Sequence, residues 1–201
     1  MKMLKKMAAL LLAGVMAMAL LTACGEDSKP SYRLQKVVEA NQKTGKVYAE
    51  VTVYGMNAEP QNMAFAVDGK NMMINVGAPY DILVKDGKAY VLSQGYYSEV
   101  KVTEDVVSAG NATVPSTEAI KNIDVIPEYK VEATGETLYA ESITVDGQRA
   151  IYCFNGDKLA YIVEQVSGKT ATLKVNKWTN EFSEEVQNKM NLTGYQPAPQ
   201  H

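Results

Sequence analysis

Histidine is almost missing from this chain of 201 residues: the one His is also the last residue, His201. A Ser-His-Asp or Cys-His arrangement therefore has no base held inside a fold, and zinc sites built on histidine fail for the same reason. Cysteine is scarce too, with Cys24 and Cys153 as the two present, which leaves no thiolate cluster for a metal. No phosphate cradle of the form GxxxxGK[ST] occurs. The balance of 20 Lys and Arg against 23 Asp and Glu, a formal charge of −3, supplies no electrostatic footprint for nucleic acid. Carboxylates are plentiful, but Glu104/Asp105 and Glu184/Glu185 fall where helices are expected to begin, and the helix dipole accounts for them there. Asp68, Asp86 and Asp146 each precede a glycine, which is turn chemistry without the ligand spacing of a calcium loop. Neither catalytic residues nor a metal or other cofactor is expected.

What the chain does have begins at its N-terminus. Lys2, Lys5 and Lys6 precede an uncharged apolar stretch from Met7 to Leu21, followed by small residues up to Cys24, the layout of a secretory leader. Fifteen residues of helix rise about 22 Å, short of the roughly 30 Å of a bilayer interior, so a retained span is the weaker reading. Leu21-Thr22-Ala23-Cys24, followed by Gly25, resembles the bacterial lipobox. That resemblance implies cleavage before Cys24 and a thioether-linked diacylglycerol on it, and two acyl chains make a durable membrane anchor. Once the leader is gone, five of the ten methionines and three basic residues go with it, leaving 17 basic against 23 acidic groups and a formal charge of −6. With Cys24 acylated, Cys153 has no partner for a disulfide. It stands between Tyr152 and Phe154 in a strand-like run, where a free cysteine behaves as a small hydrophobe.

The expected organisation is a leader over 1–23, a tether over 24–30 reaching at most about 25 Å when extended, one domain over 31–195, and a frayed tail over 196–201. From Ser31 to Lys43, Leu34, Val37, Val38 and Asn41 share a helical face, and Gly45 is a plausible stop. The period then changes to two, with Val47, Ala49, Val51 and Val53 alternating against Tyr48, Glu50, Thr52 and Tyr54. Hairpins follow at Asp68-Gly69 and Asp86-Gly87, and another alternating run spans Tyr96 to Val102. Between Thr103 and Glu128 the pattern weakens into a helical excursion, with short helices over 105–108 and 116–123. A second meander runs from Tyr129 through turns at Gly135, Asp146-Gly147, Asn155-Gly156 and Gly168, and a short helix over 183–190 closes the domain. If Asn155-Gly156 forms the centre of a type I′ turn, Tyr152 opposes Leu159 and Ala150 opposes Tyr161, with those side chains on one face. The pattern is α+β, dominated by antiparallel sheet.

The apolar strand faces are the candidate for binding. Phe65, Val67, Ile74, Tyr152, Leu159 and Tyr161 share strand faces by their spacing and are the candidate lining of a hydrophobic pocket. The twelve tyrosines, against three Phe and one Trp, suit either a half-buried sheet or the wall of an amphiphile pocket. Alternation alone does not distinguish a filled core from a vacant one.

From Tyr139 through Val163, a strand, Asp146-Gly147, the strand from Arg149 to Phe154 and Asn155-Gly156-Asp157-Lys158-Leu159 together resemble the lipoprotein-localisation (LolA/LolB-like) superfamily. The preceding helix and long interrupted meander agree with it over most of the mature chain. The resemblance implies a strongly curved, unclosed half-barrel of antiparallel strands, with the N-terminal helix and the helical insert covering a concave face that accepts acyl chains. A lipid anchor of its own sets this chain apart from the soluble shuttle of that family and nearer to members that are themselves lipoproteins. The expected partners are the membrane, through Cys24, and a lipid or other hydrophobic envelope molecule. A branch that senses envelope stress implies the alternative, a regulatory lipoprotein that binds an envelope protein.

Overall fold

The computed structural model describes residues 32–75, 79–100, 123–145, 147–166 and 168–199. The expected leader, Cys24, the tether and the helices expected over 105–108 and 116–123 lie outside these residues, apart from Ile123, which is in no helix. Helix α1 (Arg33–Thr44) ends where expected: Gly45 takes a left-handed conformation at φ 65° and its N–H donates to the Asn41 carbonyl. Leu34, Val38 and Asn41 are its buried residues.

Twelve strands form one sheet: β1 (Lys46–Tyr54), β2 (Gln61–Asp68), β3 (Asn71–Asn75), β4 (Asp81–Lys85), β5 (Lys88–Ser93), β6 (Tyr96–Val100), β7 (Asp124–Lys130), β8 (Thr137–Val145), β9 (Gln148–Asn155), β10 (Lys158–Val166), β11 (Lys169–Thr179) and β12 (Gln196–Pro197). Their spatial order is β12-β6-β5-β4-β3-β2-β1-β11-β10-β9-β8-β7. Two antiparallel meanders, β1 to β6 and β7 to β11, thus meet at the β1/β11 pair, and the strands joined by residues 101–123 stand at or beside opposite edges. The sheet is curved and does not close, and the fold is α+β. Register shifts at Glu50/Val51, Ile126/Tyr129 and Leu159/Tyr161 are bulges that add bend and twist. At the end of β1, Gly55 adopts φ 84° and passes so close to the Thr170 carbonyl that a Cβ would overlap it.

The alternation expected for β1 is the observed one, Val47, Ala49, Val51 and Val53 being buried and their neighbours half-buried. These residues lie on the inner face of the sheet, the face on which α1 packs. The outer face carries two further apolar groups. Ala66, Met73, Leu83 and Leu92 lie under Val186 and Met190 of helix α2 (Glu184–Asn191). Ser183 caps that helix by accepting from the Val186 N–H. Lys189 bridges Asp81 at 2.9 Å and Glu185 at 2.8 Å, and Lys85 donates to the Met190 carbonyl. Burial opposes the charge on Lys189, but hydrogen bonds and attraction to Glu185 and Asp81 outweigh it and raise its pKa. The second outer group joins Val131, Ala140, Cys153, Tyr161 and Val163.

Within the tail expected to fray over 196–201, residues 196–198 are instead paired. Gln196 and Pro197 form β12 parallel to β6, with the Gln196 N–H donating to the Gly95 carbonyl and the Ala198 N–H to that of Tyr97. Two backbone bonds to a neighbouring edge leave no trace in hydrophobic periodicity.

Candidate functional site

The inner face gathers apolar side chains from β1 to β6 and β8 to β11 into one cluster, with α1 as the described helix laid across it. Both ends of α1 are tied down. Tyr32 precedes the helix and offers no side-chain cap. The unpaired amides of the first turn are met instead by Glu141 of β8, whose Oε1 accepts from Arg33 N–H at 2.9 Å and whose Oε2 accepts from Leu34 N–H at 2.7 Å. A carboxylate at this end also meets the positive end of the helix dipole. The Tyr139 hydroxyl donates to the same carboxylate at 2.8 Å, and the Arg33 guanidinium lies 4.2 Å from the centre of the Tyr139 ring. At the other end, Asn41 Oδ1 accepts from Asn180 Nδ2 at 2.8 Å and from the Trp178 indole at 3.3 Å.

Phe65, Val67, Ile74, Tyr152 and Leu159 all fall in the inner cluster. Tyr161 does not. It is buried on the outer face, with its hydroxyl donating to Glu136. The expected hairpin register needs correction here, and the turn explains the first half of it. Asn155 pairs with Lys158, so the central residues are Gly156 and Asp157. Only Gly156, at φ 59°, has positive φ, as a type II′ turn requires and a type I′ turn does not. Leu159 therefore opposes Phe154 rather than Tyr152. The register shift at Ala160 then places Tyr161 opposite Cys153 and Ile162 opposite Tyr152. An extra residue reverses the face of every position after it.

Phe154, Ile162 and Leu173 belong to the inner cluster beside the five expected residues, and so does a polar element that apolar spacing overlooks. Glu141 is fully buried and Glu164 is 5% exposed. Both stand at inner positions of their strands, Glu141 between Tyr139 and Ile143 and Glu164 two residues beyond Ile162. Their signal in the sequence is an acid at a position where the period calls for a hydrophobe. Glu141 has its three donors, whereas Glu164 Oε1 has no hydrogen-bond partner. Burial pushes the Glu164 carboxyl up to about 8. Burial, then the nearby Glu164, also raises the Tyr152 phenol. The Tyr139 hydroxyl rises to about 12 through burial and its bond to Glu141. Burial alone raises the Cys153 thiol to about 12, which leaves it unreactive at neutral pH. Among the described residues no group of three or more His, Cys, Asp and Glu is placed to hold a metal.

No family model matches the sequence, and no curated protein matches it. Solved structures do. Lipoprotein LppX of Mycobacterium tuberculosis is similar at a TM-score of 0.43 and 10% identity, over 75% of this chain and 95% of that one. LprF of Mycobacterium bovis matches at 0.39 and 11%, over 78% and 97%. A LolA superfamily protein of Nitrosomonas europaea matches at 0.33 and 10%, over 70% and 87%. These scores are too low to say anything about a ligand, so the chemistry of the site rests on its own geometry. Among the described residues that geometry is a buried apolar cluster many strands wide, strapped by one anchored helix and holding one carboxyl with an unmet oxygen.

Proposed function

We propose that this protein is a membrane-tethered lipoprotein of the cell envelope that binds a lipid or another hydrophobic molecule between sheet and helices, without catalysing a reaction. The observation that carries this reading is the inner face: an unclosed sheet gathers apolar side chains from ten strands into one buried cluster. Apolar surroundings of that kind stabilise acyl chains by about 0.8 kcal/mol for each methylene removed from water. The lipobox-like Leu21-Thr22-Ala23-Cys24 supports the tether, because acyl chains on Cys24 would hold the domain within a few tens of ångströms of the bilayer. Among the described residues no helix is long and apolar enough to cross a membrane. Phe65, Val67, Ile74, Tyr152 and Leu159 are the proposed lining.

Native mass spectrometry of the whole mature chain, from Cys24 onward and expressed without its leader, tests the reading. The expected result is copurified lipid, or uptake of added lipid at one-to-one stoichiometry. A chain that arrives empty and takes up none of a panel of envelope lipids would refute it and favour the regulatory alternative. That alternative has one observation on its side, the edge strand β7 with Val125 45% exposed. Pro127 and the bulge at Ile126/Tyr129 blunt this edge against strand addition.

A further inference from the structure

Glu164 is the inner-face residue that an apolar wall does not explain. On its own face it pairs across the sheet with Ala150 of β9 and Ala171 of β11. Each flanking side chain is a single methyl, shorter than the glutamate and without a polar atom to meet it. Tyr152, opposite Ile162, is its diagonal neighbour on the same face. The carboxyl is almost completely buried, its Oε1 has no partner, and among the described residues no cation forms an ion pair with it. Leaving such an atom unsatisfied costs stability, and a buried ionisable group with an unmet oxygen on an apolar sheet face is a candidate for ligand contact.

The geometry points to Glu164 as the polar anchor of the interior, exchanging hydrogen bonds with the hydroxyl or ester group of an uncharged, acyl-chain ligand such as a monoacylglycerol. This inference rests on the hydrophobic-ligand reading above and names the chemistry of the ligand's head. A hydroxyl both donates and accepts, so it satisfies a carboxyl in either orientation, and a protonated carboxyl also donates to an ester carbonyl. Among the described residues no cation pairs with the Glu164 carboxyl to offer an anionic head a counter-charge. Arg33, the basic residue in the first turn of α1, is engaged with the Tyr139 ring and with Asp157 at 3.6 Å. A cationic head gains little, because burial keeps the Glu164 carboxyl largely protonated at neutral pH.

The test compares three probes with the same mature chain: 1-monooleoylglycerol, the hydrocarbon 1-octadecene, and oleoyl lysophosphatidic acid. Dissociation constants are measured by displacement of a fluorescent fatty-acid probe at pH 7. In the wild type, the monoacylglycerol is expected to bind about ten-fold more tightly than the hydrocarbon, the worth of about one good hydrogen bond, and more tightly than the phosphate-bearing lipid. Glu164→Leu should remove that ten-fold advantage and leave octadecene binding within about two-fold. Glu164→Gln, which keeps a donor and an acceptor, should restore most of it. If all three lipids bind and Glu164→Leu changes none of them, the carboxyl is a structural group and this inference fails while the lipid-binding reading stands. Equal or tighter binding of lysophosphatidic acid overturns the uncharged head. If none of the probes binds the wild type, both readings fall together.

Discussion

A carboxyl group buried without a partner holds its proton more tightly than the same group in water, and this ties Glu164 to the pH dependence of folding. Its pKa rises from about 4.5 to about 8 in the folded protein through burial. Below 4.5 both folded and unfolded chains carry the proton. Between 4.5 and 8 the folded chain keeps a proton that the unfolded chain has released, so stability falls as pH rises, by about 1.4 kcal/mol per pH unit for one group. Above 8 the loss is complete. Among the described residues Tyr152, Glu141 and Tyr139 are the other titratable side chains on this part of the face, and the raised Tyr152 and Tyr139 phenols stay protonated throughout the window. Glu164→Gln should therefore gain on the wild type progressively from pH 4.5 to 8, as read from urea midpoints at matched ionic strength. A difference that stays flat with pH would show the carboxyl to be ionised in the folded state. Three positions earlier, Tyr161 shows why a residue's environment was only partly legible. Its apolar ring and strand spacing marked it as buried, which it is, but a bulge at Ala160 decided which face.

Helix α1 is positioned by a residue more than a hundred positions away. Its first two amides donate to Glu141, and bonds to a charged acceptor are each worth roughly 1.5 to 3 kcal/mol. Glu141→Ala should accordingly lower stability by about 3 kcal/mol and accelerate hydrogen exchange at Arg33 and Leu34 far more than at amides of β1. Glu39→Ala, at an exposed site on the same helix where the carboxylate accepts from Gln35, should stay within about 0.5 kcal/mol of the wild type. Undisturbed exchange at the first turn of α1 in Glu141→Ala would mean that the carboxylate does not hold the helix. The extent of α1 and its glycine stop were visible in local sequence, because a 3.6-residue period and a left-handed cap are local properties. Its cap was not, because the acceptor comes from β8. The same limit applies to β12: nothing in Gln196-Pro197 marks a strand, and the pairing exists because β6 presents a free edge beside it.

For the molecule as a whole, the proposed placement in the cell rests on acylation of one side chain, Cys24. Labelled palmitate should enter the wild-type precursor in a bacterial host and should not enter the Cys24→Ala variant, which should also appear in the soluble fraction after lysis of the cell envelope. Equal labelling of the two would remove the anchor from the account. At this scale the division of information is clear. The strand alternation from Val47 onward, the turns at their glycines and the scarcity of His and Cys were enough to establish an antiparallel α+β domain and to make catalytic or metal chemistry an unattractive reading, because periodicity, turn conformation and ligand chemistry are properties of short segments. Only the tertiary structure decided that β1 pairs with β11 to join the two meanders, that Tyr161 faces away from Tyr152, and that Glu164 lies buried between two alanines with its Oε1 unmet. Those facts depend on which distant strands lie side by side and on a single extra residue in one of them, and neither is encoded in local pattern.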